Sequence, residues 1–162
     1  MNSERVRLSE ALRTAPVFVD GDWIESKDQD PDGDVRLIQL ADVGIGRFID
    51  KSRRFLTAET AQRLNCTFLE RGDILIARMP DPIGRACIFP GVGQPAVTAV
   101  DVCIVRVDPD VLDSRYLVHY PNSSQAFRQI SGKASGSTRQ RISRSNLGTI
   151  EIPLPPLEEQ RR

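Results

Sequence analysis

Apolar residues in this chain come in short runs separated by turn-forming clusters, not in long helical stripes. Ile74-Leu75-Ile76-Ala77 is a continuous apolar run of strand length, entered through the tight turn Arg71-Gly72-Asp73. Ala86-Cys87-Ile88-Phe89 is a second such run, reached through a loop with Pro80, Pro82 and Gly84. Val102 to Val107 predicts a further buried strand, and Val35 to Ala41 reads as a strand with polar Arg36 and Gln39 interleaved. Asp42-Val43-Gly44 predicts a turn, Arg47-Phe48-Ile49 a short strand, and Lys51 to Arg54 a basic turn.

Helical spacing is confined to short segments. Leu8, Ala11, Leu12 and Ala15 predict an amphipathic helix over Ser3 to Thr14, ended by Pro16. Thr57 to Leu64 predicts a helix with Thr57 as its N-cap. Asp113 to Tyr120 and Ser123 to Ile130 predict two more, broken by Pro121, and Gly132 to Arg141 reads as a loop. Asn146 to Ile152 leads into a closing strand, after which Pro156 suits the first turn of a last helix and Glu158 and Glu159 suit its N-terminal dipole. So short a helix has little stability of its own, so its end is expected to be frayed or held by a neighbouring molecule. Strands and helices do not alternate regularly. The expected class is therefore α+β: a mixed, mainly antiparallel twisted sheet core with short helices.

The composition is that of an ordinary soluble domain, with 162 residues, 40% hydrophobic and 27% charged. No apolar stretch is long enough to span a membrane, and Met1 to Leu12 lacks a signal-peptide core, so a cytoplasmic location is expected. Cys66, Cys87 and Cys103 are odd in number and widely spaced, which predicts reduced core thiols. With a single histidine, His119, no credible metal cluster is expected. Net charge is zero, but its distribution is uneven. Asp20 to Asp34 is acidic, whereas Asn122 to Ile150 carries Arg128, Lys133, Arg139, Arg141 and Arg144 with no acid. Such a segment can hold phosphate locally, or it can be a solvated loop.

Several motifs occur in a fixed order. They are Leu37-Ile38-Gln39-Leu40-Ala41-Asp42-Val43, Gly72-Asp73-Ile74-Leu75-Ile76-Ala77-Arg78, Ile83-Gly84-Arg85, Asp113-Ser114-Arg115-Tyr116-Leu117, Ser135 to Ile142, and Ile152-Pro153-Leu154-Pro155-Pro156-Leu157-Glu158-Glu159-Gln160. Taken together they resemble the specificity subunits of type I restriction-modification enzymes, and the closing segment is the most specific of them. The resemblance implies a DNA target-recognition domain over residues 1–152, with residues 153–162 beginning a conserved long spacer helix. It implies recognition of one half of a bipartite double-stranded DNA site, with a methyltransferase subunit as partner and a restriction subunit engaged indirectly. It places S-adenosylmethionine, ATP and magnesium on those partners and no cofactor in this chain. Leu157 and Gln160 would serve partner docking. Family subunits commonly carry two such domains in tandem; a half-subunit, an excised domain and a truncated product all remain open. Two other readings also stay open: the recognition domain of a fused type II restriction-methylation enzyme, and a protein-binding adaptor with no DNA role.

The expected DNA contacts follow from residue type and placement. Arg78 leaves a rigid strand, and arginine is the commonest reader of guanine through a bidentate fork; a surface ion pair is the alternative. Arg85, across the same hairpin, would contact phosphate. Lys133, Ser137, Thr138, Arg139, Arg141 and Arg144 combine cations, hydroxyls and a glycine-serine backbone suited to phosphate. Gly72 and Asp73 are expected to be structural, Tyr116, Tyr120 and Phe127 to be core, and Trp23 to be a poor stacking platform in its acidic setting. No G-x-S-x-G, phosphate loop or paired His and Cys is present, which argues against catalysis.

Overall fold

A computed structural model describes residues 4–136 and 139–162. Two sheets lie face to face in it. The first is four-stranded and antiparallel, in the order β2 (Val17–Val19), β8 (Val102–Arg106), β5 (Ile74–Ala77), β6 (Ala86–Ile88). The second has the order β4 (Arg54–Leu56), β3 (Val35–Ile38), β7 (Ala96–Thr98), with β3 and β7 parallel. The α+β expectation holds.

Burial on both faces explains why the strands read as unbroken apolar runs. Leu75, Ala77, Val102 and Ile104 face the second sheet and meet Ile38, Val43 and Ala96. Ile74, Ile76, Cys103 and Val105 point the other way, into a core closed by α1 (Leu8–Ala11), α3 (Ser114–His119), α4 (Ser124–Lys133) and α5 (Arg144–Leu147). On the far face of the second sheet, Val35, Leu37 and Val97 pack against Ala61 of α2 (Ala58–Arg63). The period-two alternation therefore survives, but each face meets an apolar layer and no polar residue marks it.

The helices start where capping chemistry puts them. The side chains of Thr57, Asp113 and Ser123 accept backbone N–H groups at the starts of α2, α3 and α4. Asp73 accepts the Glu70 N–H at 2.8 Å and also binds the Arg106 guanidinium through both oxygens, each at 2.8 Å. Its turn is thus structural, as its sequence predicts. All three cysteines are free thiols.

Four expectations are corrected. The helix expected over Ser3 to Thr14 is only Leu8–Ala11; Arg5–Arg7 forms β1, paired with β9 (Glu151–Pro153). A partner strand from the far end of the chain outweighs local helical periodicity, while the stripe Leu8, Ala11, Leu12 is buried as expected. Arg54, assigned to a basic turn, opens β4, and the three-residue strands β2, β4 and β7 were too short to leave a period in the sequence. The loop expected from Gly132 starts later, because α4 runs on to Lys133. The last helix, α6 (Leu157–Gln160), is anchored on its own domain. Gln160 is buried, donates to Val111 O at 3.0 Å and Pro155 O at 2.9 Å, and accepts from Asp113 N at 2.8 Å.

Candidate nucleic-acid interface

One end of the paired sheets gathers five loop segments. β2 stops at Val19, β3 at Ile38, β5 at Ala77 and β7 at Thr98, while β4, β6 and β8 begin there. The registers Ala77↔Val102, Ile76↔Ala86, Val19↔Ile104, Ile38↔Thr98 and Leu37↔Arg54 bring these ends level. Segments 20–24, 39–53, 78–85 and 99–101 therefore leave from a common edge. Residues 134–136 and 139–142 join them, because Ile142 N donates to Arg78 O at 3.0 Å and a small bridge links Ser135 and Arg141.

The two arginines expected to meet DNA from the 78–85 hairpin point inward. Arg78 is 3% exposed. Its Nη1 donates to Ile142 O at 3.1 Å and its Nη2 to Val100 O at 2.8 Å, with Asp20 3.0 Å from Nε and Asp101 3.5 Å from Nη2. Arg85 is 7% exposed and donates to Val43 O, Met79 O, Pro82 O and Leu40 O at 2.6–3.1 Å. Burial lowers the pKa of Arg85, but a guanidinium keeps its proton in proteins. Both guanidinium forks are occupied by this chain, so the base-reader and phosphate roles expected of Arg78 and Arg85 are corrected to internal bracing. The sequence signal was sound as to strand and loop but could not show which way the side chains turn. Gly84 belongs to the same brace: its φ is +86°, and a Cβ there would run into Ile130 of α4.

The other expected contacts divide. Lys133 and Arg139 are exposed at the end of α4 and in the loop after it. Arg141 is half exposed and pairs with Asp101 at 2.8 Å. Arg144 is turned toward its own chain, donating to Phe18 O at 2.9 Å, with its guanidinium carbon 5.8 Å from the Phe18 ring centroid and Nε 3.8 Å from Asp20. Ser137 and Thr138 lie outside the described residues. Gln160, expected to dock a partner, is buried against its own domain, and Leu157 is partly covered. Among the described residues no group of three or more His, Cys, Asp and Glu could hold a metal ion, and no helix is long and apolar enough to cross a membrane.

A second cationic loop, of which the sequence marked only the basic turn Lys51 to Arg54, was not counted among the expected contacts. Segment 43–54 exposes Arg47, Lys51, Arg53 and Arg54, together with Ile45 at 60% and Ile49 at 45% exposure. Its base is fixed by Asp42, a fully buried carboxylate. Asp42 accepts from Gln39 N at 2.9 Å, Lys51 N at 2.7 Å, Ser52 N at 2.6 Å, Ser52 Oγ at 2.5 Å and Arg36 Nη2 at 3.3 Å. Arg36, itself buried, reaches on to Asp50 at 2.7 Å, and this hydrogen bond holds the Asp50 carboxyl below its ordinary pKa. The available signal was the density of cations around a single acid between Arg47 and Arg54.

This arrangement defines a class: an α+β domain whose exposed loops are mounted at one edge of a two-sheet scaffold. The chain belongs to the type I restriction modification DNA specificity domain family, whose model matches residues 16–162. It is 33% identical over 122 residues to a putative type I restriction enzyme specificity subunit of Haemophilus influenzae, a match covering 73% of this chain and 29% of that protein. It is 25% identical over 130 residues to the specificity subunit of a type I restriction enzyme of Methanocaldococcus jannaschii, covering 78% and 31% respectively. The fold is similar to that of the HsdS subunit from Thermoanaerobacter tengcongensis, with TM-score 0.67 and 23% identity over 98% of this chain and 34% of that one. A solved chain of a type I restriction-modification system gives TM-score 0.69 at 24% identity, over 98% and 35%. The chain thus spans about a third of the length of its relatives.

Proposed function

We propose that this domain reads one half of a bipartite double-stranded DNA site and so directs a type I methyltransferase and, through it, a restriction subunit. The observation that carries this reading is the convergence of five loop segments on one sheet edge, in a member of a DNA specificity family, with Lys133, Arg139 and Arg141 solvent-accessible there. Loops on a rigid frame suit recognition, since the frame fixes register while side chains vary. Exposed cations fix the backbone position, and base edges supply sequence information. Residues 1–152 would form the reading domain and 153–162 the start of a spacer helix. S-adenosylmethionine, ATP and magnesium would belong to partner subunits, and the chain itself would not catalyse.

Selection from a pool of randomised duplexes with the purified chain tests the reading. The expected result is enrichment of one short motif. Enrichment of none, with the domain folded, would overturn it and favour a protein-binding adaptor. Stoichiometric binding of S-adenosylmethionine by the chain alone would contradict the division of labour.

A further inference from the structure

We infer that the hairpin Val43–Ile49 is the base-reading element, with Arg47 recognising a guanine in the major groove and Ile45 and Ile49 packing on neighbouring base edges. This rests on the DNA-reading function proposed above and moves the reader from the 78–85 hairpin to the hairpin that it braces.

Three observations carry it. The first is rigidity, which base readout needs because a fork must meet two acceptors at once. Val43 bridges Phe48, Gly44 N donates to Arg47 O at 2.9 Å, and Gly46 N donates to Ala86 O at 2.9 Å. Phe48 stacks edge-on against Phe89 with centroids 5.5 Å apart. Arg85 holds Val43 O at 2.6 Å and Leu40 O at 2.8 Å from inside. A Cβ on Gly44 would meet Arg47 O at 2.7 Å, so the two arms of the hairpin approach as closely as a glycine allows.

The second observation is what the hairpin presents. Ile45 stands at the meeting of two surface grooves, of ≈ 340 Å³ toward Pro121 and Phe127 and ≈ 460 Å³ toward Ile49 and Lys51. An exposed isoleucine beside an arginine matches the mixed major-groove edge of methyl groups and hydrogen-bond acceptors. The segment is a tight turn closed by the single Val43–Phe48 bridge, a narrow projection of the kind that groove admits. The third is the state of the cations. Among the described residues, Arg36 and Arg53 are paired with Asp50, whereas Arg47 and Lys51 enter no ion pair. Lys51, with its backbone N–H fixed on Asp42, stands at the hairpin base, where a phosphate would pass.

The test compares the wild-type chain with Arg47→Ala, Arg47→Lys and Arg139→Ala in the same selection, followed by binding to the selected duplex. Arg47→Ala should lose discrimination at one guanine by about tenfold or more and keep the rest of the motif. Arg47→Lys should restore overall affinity more than guanine preference, because a point charge lacks the fork. Arg139→Ala should weaken every duplex and leave the motif unchanged. Replacing that guanine by 7-deazaguanine should weaken the wild type, a readout independent of how any variant folds, and should leave Arg47→Ala unaffected. If the wild type selects a motif and both Arg47 variants select it equally well, with no guanine sensitive to the 7-deaza change, the hairpin is not the reader. If the wild type selects nothing, the proposed function itself fails.

Discussion

Arg78, Arg85, Arg47 and Arg139 carry the same guanidinium, and their surroundings separate them. Arg78 has its fork on two carbonyls, with Asp20 and Asp101 balancing its charge. Removing it takes the donors from Ile142 O and Val100 O, while Asp20 and Asp101 keep only Arg144 and Arg141 as charge partners. Arg78→Ala should therefore destabilise the domain by on the order of 3 kcal/mol, with urea unfolding as the measurement. A folded variant of unchanged stability would return Arg78 to the candidate readers. The thiols follow the same logic. Burial pushes Cys66, Cys87 and Cys103 up to about 12 from an ordinary value of 9.0. Because the folded pKa is raised, their contribution to stability is full below the unfolded value and falls as pH rises from about 9 toward 12. Native protein should thus resist iodoacetamide at pH 8 and lose stability progressively above pH 9. Rapid alkylation of Cys87 and Cys103, the two fully buried thiols, in folded protein at pH 8 would contradict this burial; Cys66, only partly covered, should react first.

At the scale of elements, α6 shows how little helix is needed when one side chain bonds well. Gln160 bridges Val111, Asp113 and Pro155, so it ties the proline corner to the start of α3. Gln160→Ala would leave a buried donor and two acceptors unsatisfied, at roughly 1–3 kcal/mol each before relaxation or water entry. The expected outcome is local. Amide exchange at Asp113 and across 157–160 should quicken by an order of magnitude or more, while β5 and β8 stay protected. Uniform loss of protection would mean that α6 belongs to the global folding unit. The elements legible in the sequence were those with turn or capping residues at their ends or a clear apolar run: α2, α3, α4, α6, β3, β5, β6, β8 and β9. β1 was misread because its pairing partner lies near the other end of the chain.

For the whole molecule, charge is arranged rather than abundant. Lys and Arg number 22, Asp and Glu 22, so any DNA affinity comes from local cations and not from a net field. Each phosphate contact removed should flatten the log–log salt dependence by about 0.9. Lys133→Ala and Arg139→Ala should each do so across all duplexes. Arg141→Ala should do so less, because its guanidinium already neutralises Asp101 at 2.8 Å. Binding curves at several salt concentrations decide the matter. Unchanged slopes for Lys133→Ala and Arg139→Ala would make the loop after α4 solvated surface.

The sequence by itself determined the class of fold, the caps, the buried strands and the family, because these rest on local chemistry and on ordered motifs that survive in one dimension. It also marked where cations are dense. It could not decide which arginines face solvent. Arg78 and Arg139 are alike as letters. Only the stacking of two sheets, with Asp20, Val100 and Ile142 closing over the end of β5, buries the first and leaves the second exposed. The hairpin at Val43–Ile49 was hidden for the same reason. Its rigidity comes from Asp42 and Arg36, whose bonds stay within residues 36–52, and from Arg85, which reaches Val43 O and Leu40 O only when the two sheets meet.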